Sequence, residues 1–163
     1  MRITHKVDYG VRVMTAIATL EGEQPGRPIQ RAVLAERDQL PPGFLVDILA
    51  ALRNARLLKS HRGGGGGWSL ARPADQIAVA DIIRALDGPL ASVRGLRPHE
   101  LAAEPARHAT DRTIVEMWIA VRAALRDVLE HVTVADLAAG ALPPELAAVA
   151  ADPDAWDPHR DTT

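Results

Sequence analysis

The chain of 163 residues contains no cysteine. That absence excludes disulfides, thiolate nucleophiles, zinc fingers and cysteine-ligated iron–sulfur clusters. No run approaches the roughly 20 apolar residues that span a bilayer. The opening stretch MRITHKVDYG lacks the apolar segment of a secretory signal, so a cytoplasmic protein with no membrane partner is expected. There is no Gly-x-Ser-x-Gly elbow and no His-Glu-x-x-His pair, and the histidines at 5, 61, 99, 108, 131 and 159 are too dispersed to read as a ligand set. The residues therefore give no support to an enzyme.

What is present suits one core with a small extension: 47% of residues are apolar and 25% charged. The net charge of −2 hides an asymmetry. Residues 1–72 carry 11 Lys and Arg against 6 Asp and Glu, net +5, whereas residues 73–163 carry 8 against 15, net −7. The first part can face a polyanion and the second cannot. Of the 19 basic residues 17 are arginine, a bias that genome composition alone can produce.

Val7, Val11, Met14, Ile17 and Ala18 recur at helical spacing behind Thr4, a natural N-cap, and predict a first helix over 5–20. A turn of Gly, Gln and Pro over 22–28 leads to a short polar helix from about Gln30 to Asp38, with Leu34 and Ala35 inward. Pro41-Pro42 opens a third helix, because proline is tolerated in a first turn, and Leu45, Ile48, Leu49 and Leu52 form its buried stripe. Two helices joined by a tight connection outline a helix-turn-helix, whose second helix enters a major groove, although any small bundle shares that outline.

Residues 56–62, a run of five glycines over Gly63–Gly67, and Trp68 to Pro73 follow. Two short strands flanking a glycine tip make a β-hairpin, and a hairpin directly after such a helix is a wing. Its basic tip carries no side chains to obstruct approach to a phosphate backbone or a minor groove. A phosphate loop is the competing reading of the glycines, but no Gly-Lys-Ser/Thr closes the run and no helix begins there. Val79, Ile82, Ile83 and Leu86 mark a fourth helix ending at Asp87-Gly88-Pro89, and residues 89–110 are irregular, with Pro98 and Pro105 breaking any long helix.

A long helix from Asp111 to Val132 carries Ile114, Trp118, Val121, Leu125, Val128 and Val132 at heptad steps. The seam is either an internal packing stripe or a surface that pairs with a second copy, and a long helix beside a small winged domain favours the pair. The fold expected is mainly α: a winged helix-turn-helix domain over 1–88 with a two-stranded wing, a candidate sensor loop over 89–110, a dimerisation helix and short C-terminal segment over 111–140, and a largely flexible tail over 141–163.

The stretches Met1-Arg2-Ile3-Thr4, Val7-Asp8-Tyr9-Gly10, Pro41–Leu58, Ser60–Gly63, Gly67–Pro73, Val79–Gly88 and Thr133–Leu137 together resemble the Rrf-two (Rrf2) family of bacterial winged-helix transcription regulators, over about residues 1–140. The resemblance implies a homodimer on a palindrome of double-stranded DNA, one recognition helix per half-site. It places groove-reading positions on Gly43, Val46 and Asp47, with Pro42 a further DNA contact; Val46 suits a thymine methyl and Asp47 a cytosine amine, the alternative being that both merely sit near the backbone. Arg53, Lys59, Ser60 and His61 become phosphate contacts, Arg62 the wing arginine for the minor groove with Gly63 and Gly64 beside it, and Gln30 and Arg31 further phosphate contacts. Trp68 is read as a packing residue that closes the wing. The dimer interface falls on Ile114, Trp118, Val121, Leu125 and Val128.

The departure lies in sensing. Cluster-binding members carry three cysteines in the loop after the fourth helix, and residues 91–110 here have none. His108 lies near where a histidine ligates the cluster in some relatives, Asp8 matches a helix-one carboxylate that ligates from the partner subunit in others, and with His99 in the same loop they suggest a nitrogen and oxygen metal site, or a histidine for haem. The plainer reading is that both histidines are solvated and that Asp8 interacts with its own helix dipole. No cofactor is therefore expected, and a small-molecule or protein effector takes the place of the cluster. The competing function is a protein-interaction adaptor that has lost specific DNA binding, against which the retained basic wing speaks.

Overall fold

The computed structural model describes residues 3–37, 39–63, 65–103, 105, 107–108 and 110–157, with Pro42 and Pro98 as backbone only. Met1 and Arg2 of the resembling stretch, Asp38 at the expected end of the second helix, and Gly64 lie outside the described residues.

Helix α1, His5–Glu23, starts where the Thr4 hydroxyl accepts the Val7 amide at 3.3 Å, and Asp8 in its first turn complements the helix dipole. The periodicity anticipates one buried stripe on α1, whereas Val7, Gly10, Val13, Met14, Ala16 and Ile17 are all buried. The physical reason is its central place: later helices and the second strand pack around it. At Gly10 an added Cβ would collide with Leu86 and sit 3.4 Å from Ile82, so glycine there lets the helix that carries those two residues approach closely.

Helices α2, Arg31–Arg37, and α3, Pro42–Asn54, form the helix-turn-helix. Leu34 is buried and Ala35 half-buried. The α3 stripe is buried as its spacing predicts, with Leu45, Ile48 and Leu52 at 0% and Leu49 at 1% exposure. After α3 the chain reverses at Arg56, held at φ 60°, while the Leu57 amide reaches back to the Leu52 carbonyl at 2.9 Å.

Strands β1, Leu58–His61, and β2, Gly67–Leu70, pair antiparallel with Leu58 opposite Leu70 and His61 opposite Gly67. A third segment completes this wing. Ile29 and Trp68 exchange two backbone hydrogen bonds of 2.8 Å, so the stretch before α2 is stitched to β2. The Glu21 carboxylate accepts the Leu70 amide at 2.8 Å and ties the wing base to α1.

Helix α4, Val79–Asp87, packs across α1 and ends at Gly88, held at φ 85°. The segment 89–110 holds one short helix, α5, Pro98–Leu101, with Pro98 in its first turn. Helix α6, Asp111–Leu129, is followed by α7, Val134–Ala139, which is capped by the Thr133 and Asp136 side chains and stopped by Gly140 in the left-handed region.

The sequence groups residues 133–139 with the long helix; the packing places them on the N-terminal unit. Val134 is fully buried in the main core, its amide donates to the Ile77 carbonyl at 2.9 Å, and the Val79 amide donates to Val132 at 2.9 Å. A buried valine flanked by these two ladder bonds, one of them its own, belongs to the core it fills. Helix α8, Pro144–Ala151, and a 3-10 turn at Pro153–Ala155 occupy the segment for which the sequence predicts no regular structure.

The expected seam of α6 divides in the single chain, where Ile114, Val121 and Val128 are exposed. Trp118 and Leu125 are half-buried, turned with Val115 and Leu129 toward their own chain. The outward apolar stripe is Ile114, Met117, Val121, Ala124 and Val128, again at steps of three and four. At its C-terminal end α6 is bound to α4 through Glu130, which accepts from Arg84 and from Arg126 at 3.0 Å. The two guanidinium groups hold the Glu130 carboxyl down at about 2.

Candidate nucleic-acid interface

The stripe that anchors α3 determines what it presents. With Leu45, Ile48, Leu49 and Leu52 turned inward, Gly43, Val46, Asp47 and Arg53 are exposed on the remaining surface. No side chain caps the helix start, and proline supplies no amide at its first position. Pro42 sits in that first turn, its side chain outside the described set.

Sequence reasoning misses Phe44. The chain's one phenylalanine is 49% exposed beside Val46 at 46%, and it meets Tyr9 edge-on, centroids 6.0 Å apart at 83°. Tyr9 is in turn stacked on His5 at 6.2 Å. These rings fix the angle between α1 and the entry of α3. The signal available in the sequence is an aromatic one position before a strict buried stripe, off the inward face.

In the wing, alternation puts Leu58 and Ser60 on one face with Leu70 and Trp68, and Lys59 and His61 on the other with Ser69. His61 Nε2 lies 2.7 Å from Ser69 Oγ, which orients the imidazole. Arg62 is exposed where the turn begins, and Gly63 follows at φ 103°, a conformation side chains resist. Gln30, Arg31, Ser60, His61 and Trp68 line one recess of about 570 Å³ between α2 and the wing. Lys59 stands apart, lining a second recess with Glu21 and Arg72. Trp68 is half-buried against the core, as a residue closing the wing should be.

The glycine run divides. A Cβ on Gly65 meets nothing, but one on Gly66 would lie 2.5 Å from the His61 carbonyl oxygen, and one on Gly67 would lie 2.5 Å from that of Ile29. Gly66 and Gly67 are thus demanded by the fold of the hairpin itself.

The three candidate ligand residues do not converge within the single chain. Among the described residues no three His, Asp or Glu side chains are grouped to hold a metal. Asp8 pairs with Arg12 at 2.8 Å on α1. His99 is exposed on α5 and His108 is exposed at the end of the loop, its amide donating to Asp111 at 2.9 Å.

A family model described as Rrf2, iron-dependent transcriptional regulator, matches residues 3–140. The helix-turn-helix-type transcriptional regulator Rv1287 of Mycobacterium tuberculosis is 45% identical over 153 residues, covering 93% of this chain and 90% of that protein. The regulator CymR of Bacillus subtilis is 36% identical over 138 residues, covering 85% and 90%. Among solved structures, that of CymR, titled the global cysteine regulator of B. subtilis, superposes with a TM-score of 0.69 at 32% identity over 87% of this chain and 99% of that one. That of T. potens IscR gives 0.66 at 31% identity, covering 86% and 88%. The iron in the family description finds no thiolate in this chain, and the candidate oxygen and nitrogen donors are not brought together among the described residues of the single chain.

Proposed function

The chain belongs to the Rrf2 family of transcription regulators, and from that premise we propose that it binds a palindromic operator as a homodimer, α3 in the major groove and the wing at the minor groove of each half-site. The observation that carries the reading is the pair of exposed surfaces: Gly43, Val46 and Asp47 on α3, which packs against β1, and His61 and Arg62 on the wing, in the half of the chain that is net +5. Val46 and Phe44 offer apolar contact to thymine methyls, and Asp47 accepts from a cytosine amine. Arg31, Arg53, Lys59 and Arg62 neutralise phosphates and supply affinity that falls with salt.

Dimerisation rests on the outward stripe of α6, four of whose large apolar residues are 41–49% exposed in the single chain. Such binding is compatible with repression by promoter occupancy. Because the described residues of the single chain assemble no iron site, the regulator answers to a small organic effector or a partner protein. It works inside the cytoplasm, where its DNA is; among the described residues no helix is long and apolar enough to cross a membrane.

Anisotropy titration of labelled promoter DNA against random duplex tests the reading. The expected result is a site held far more tightly than bulk DNA, weakened by Arg62→Ala and by Val46→Ala. No site tighter than bulk DNA would favour the adaptor.

A further inference from the structure

We propose that the cleft between the exit of α4 and the inward face of α6 binds a phosphate group, free or carried by a small ester. It is lined by Arg84 of α4, by residues 88–90 that follow that helix, by Arg97 just before α5, and by Arg122 of α6. Its volume is about 320 Å³, the small end of the roughly 300–1,000 Å³ range of ligand sites, which suits a compact head rather than a large body. Gly88, at φ 85°, turns the chain out of α4, and the segment that follows runs beside α6.

Arg122 is the residue out of place. Val115, Trp118, Leu125 and Leu129 make the inward face of α6 apolar, and Arg122 falls between them at helical spacing, half-buried as they are. Among the described residues no carboxylate lines the cleft, and none lies within ion-pair distance of Arg97 or Arg122. The carboxylates closest in sequence are engaged elsewhere. Asp87 accepts the Thr4 hydroxyl at 2.7 Å, and Glu100 accepts the Arg97 backbone amide at 2.6 Å rather than its guanidinium. Asp81 and Glu130 serve three guanidinium groups, those of Arg72, Arg84 and Arg126. Arg84 is therefore neutralised where it stands, and the surplus in the cleft is the charge of Arg97 and Arg122. A half-buried guanidinium without a counter-charge is costly, and a bound anion removes that cost. A phosphate monoester carries close to two negative charges and matches the surplus, whereas a carboxylate would leave one arginine unanswered.

The position also suits regulation. Arg84 belongs to α4, which packs on α1, and Arg122 directly follows Val121 of the outward stripe on α6. A phosphate held between them fixes α6 against the reading unit and so biases the spacing of two reading heads in a dimer. This regulatory consequence rests on the proposed function; ligand binding does not.

The test is calorimetric titration of the full chain without DNA, with inorganic phosphate and glycerol 3-phosphate as probes and acetate as the singly charged control. A phosphate is expected to bind saturably, one per chain, at least about tenfold more tightly than acetate. Whichever of the two phosphates binds more tightly identifies the source, the free ion or the ester, and either supports the site. Arg122→Gln and Arg97→Gln should each remove about tenfold of that affinity, while Arg62→Ala, on the wing, should leave it within about twofold. The bound phosphate should raise the melting temperature of the wild-type protein and not that of Arg122→Gln.

Phosphates that bind no better than acetate, affinity that survives Arg122→Gln and Arg97→Gln, or affinity lost with Arg62→Ala instead would each overturn the proposal. Should Arg122→Gln not fold, the exposed Arg97 decides alone through Arg97→Gln. A phosphate that binds as expected to a protein with no operator would leave the site standing and sink the regulator reading, so the two failures are separable.

Discussion

Replacing Gly67 with alanine tests whether the wing glycines serve the hairpin's own backbone. The new Cβ would stand 2.5 Å from the Ile29 carbonyl oxygen and 2.7 Å from its carbon. Relaxed carbon–oxygen contacts lie near 3.3 Å, so the Ile29 backbone must retreat by roughly 0.8 Å. That backbone is held by two hydrogen bonds of 2.8 Å to Trp68, and Ile29 is itself 93% buried, its exposure being 7%. Losing two such bonds costs about 2 kcal/mol net, and the residual overpacking about 1 kcal/mol more. At roughly 2–4 °C per kcal/mol for a chain of this size, the melting temperature should fall by about 6–12 °C. Thermal unfolding followed by circular dichroism measures this directly. Gly65→Ala, whose Cβ meets nothing, is the control and should stay within about 0.5 kcal/mol of wild type. If Gly67→Ala melts with the wild-type protein, the close crossing of Ile29 and β2 is wrong.

Other expectations follow from single contacts. Val121→Asp puts a charge in the outward stripe of α6 twice per dimer, and sedimentation velocity should show the dimer dissociation constant rising at least about a hundredfold, the loss of about 3 kcal/mol of burial; Ala123→Asp, exposed on the same helix but outside the stripe, should leave it unchanged. Arg56→Gly relieves a left-handed residue at the α3 exit and should raise stability by about 1 kcal/mol in chemical denaturation. Glu130 has its carboxyl lowered from 4.5 to about 2 by the hydrogen bonds from Arg126 and Arg84. Its contribution is fully present above the unfolded value near 4.5 and is lost as pH falls through the folded value near 2. Melting curves collected between those limits should therefore decline more steeply for wild type than for Glu130→Gln.

The parts of the fold legible in the sequence are those in which one period decides the outcome. The α3 stripe leaves a single way to face a core, and Thr4 and Pro42 mark helix starts by local chemistry that tertiary packing does not override. The wing is legible because strands around a glycine tip admit few other structures.

The register of α6 is not legible. Two stripes, 114-118-121-125-128 and 114-117-121-124-128, share three members and the same spacing, and only the packing of Trp118 against its own chain separates them. Nor does local sequence tell that Val134 returns to the first core, since the ladder bonds to Ile77 and Val79 join residues more than fifty positions apart. The Phe44–Tyr9 contact is hidden for the same reason. The turn between Val93 and Leu96 and the four-residue helix α5 are not legible either, since neither has a period.

The central claim is that α3 and the wing read DNA as a symmetric pair. Selection of the full-length protein against a random duplex library, followed by sequencing of the bound pool, tests it most directly. The account predicts enrichment of an inverted repeat whose half-sites lie about one helical turn apart, with Arg62→Ala protein losing enrichment at the flanking minor-groove positions. A pool that stays random, or one that converges on a single unrepeated half-site, would contradict it.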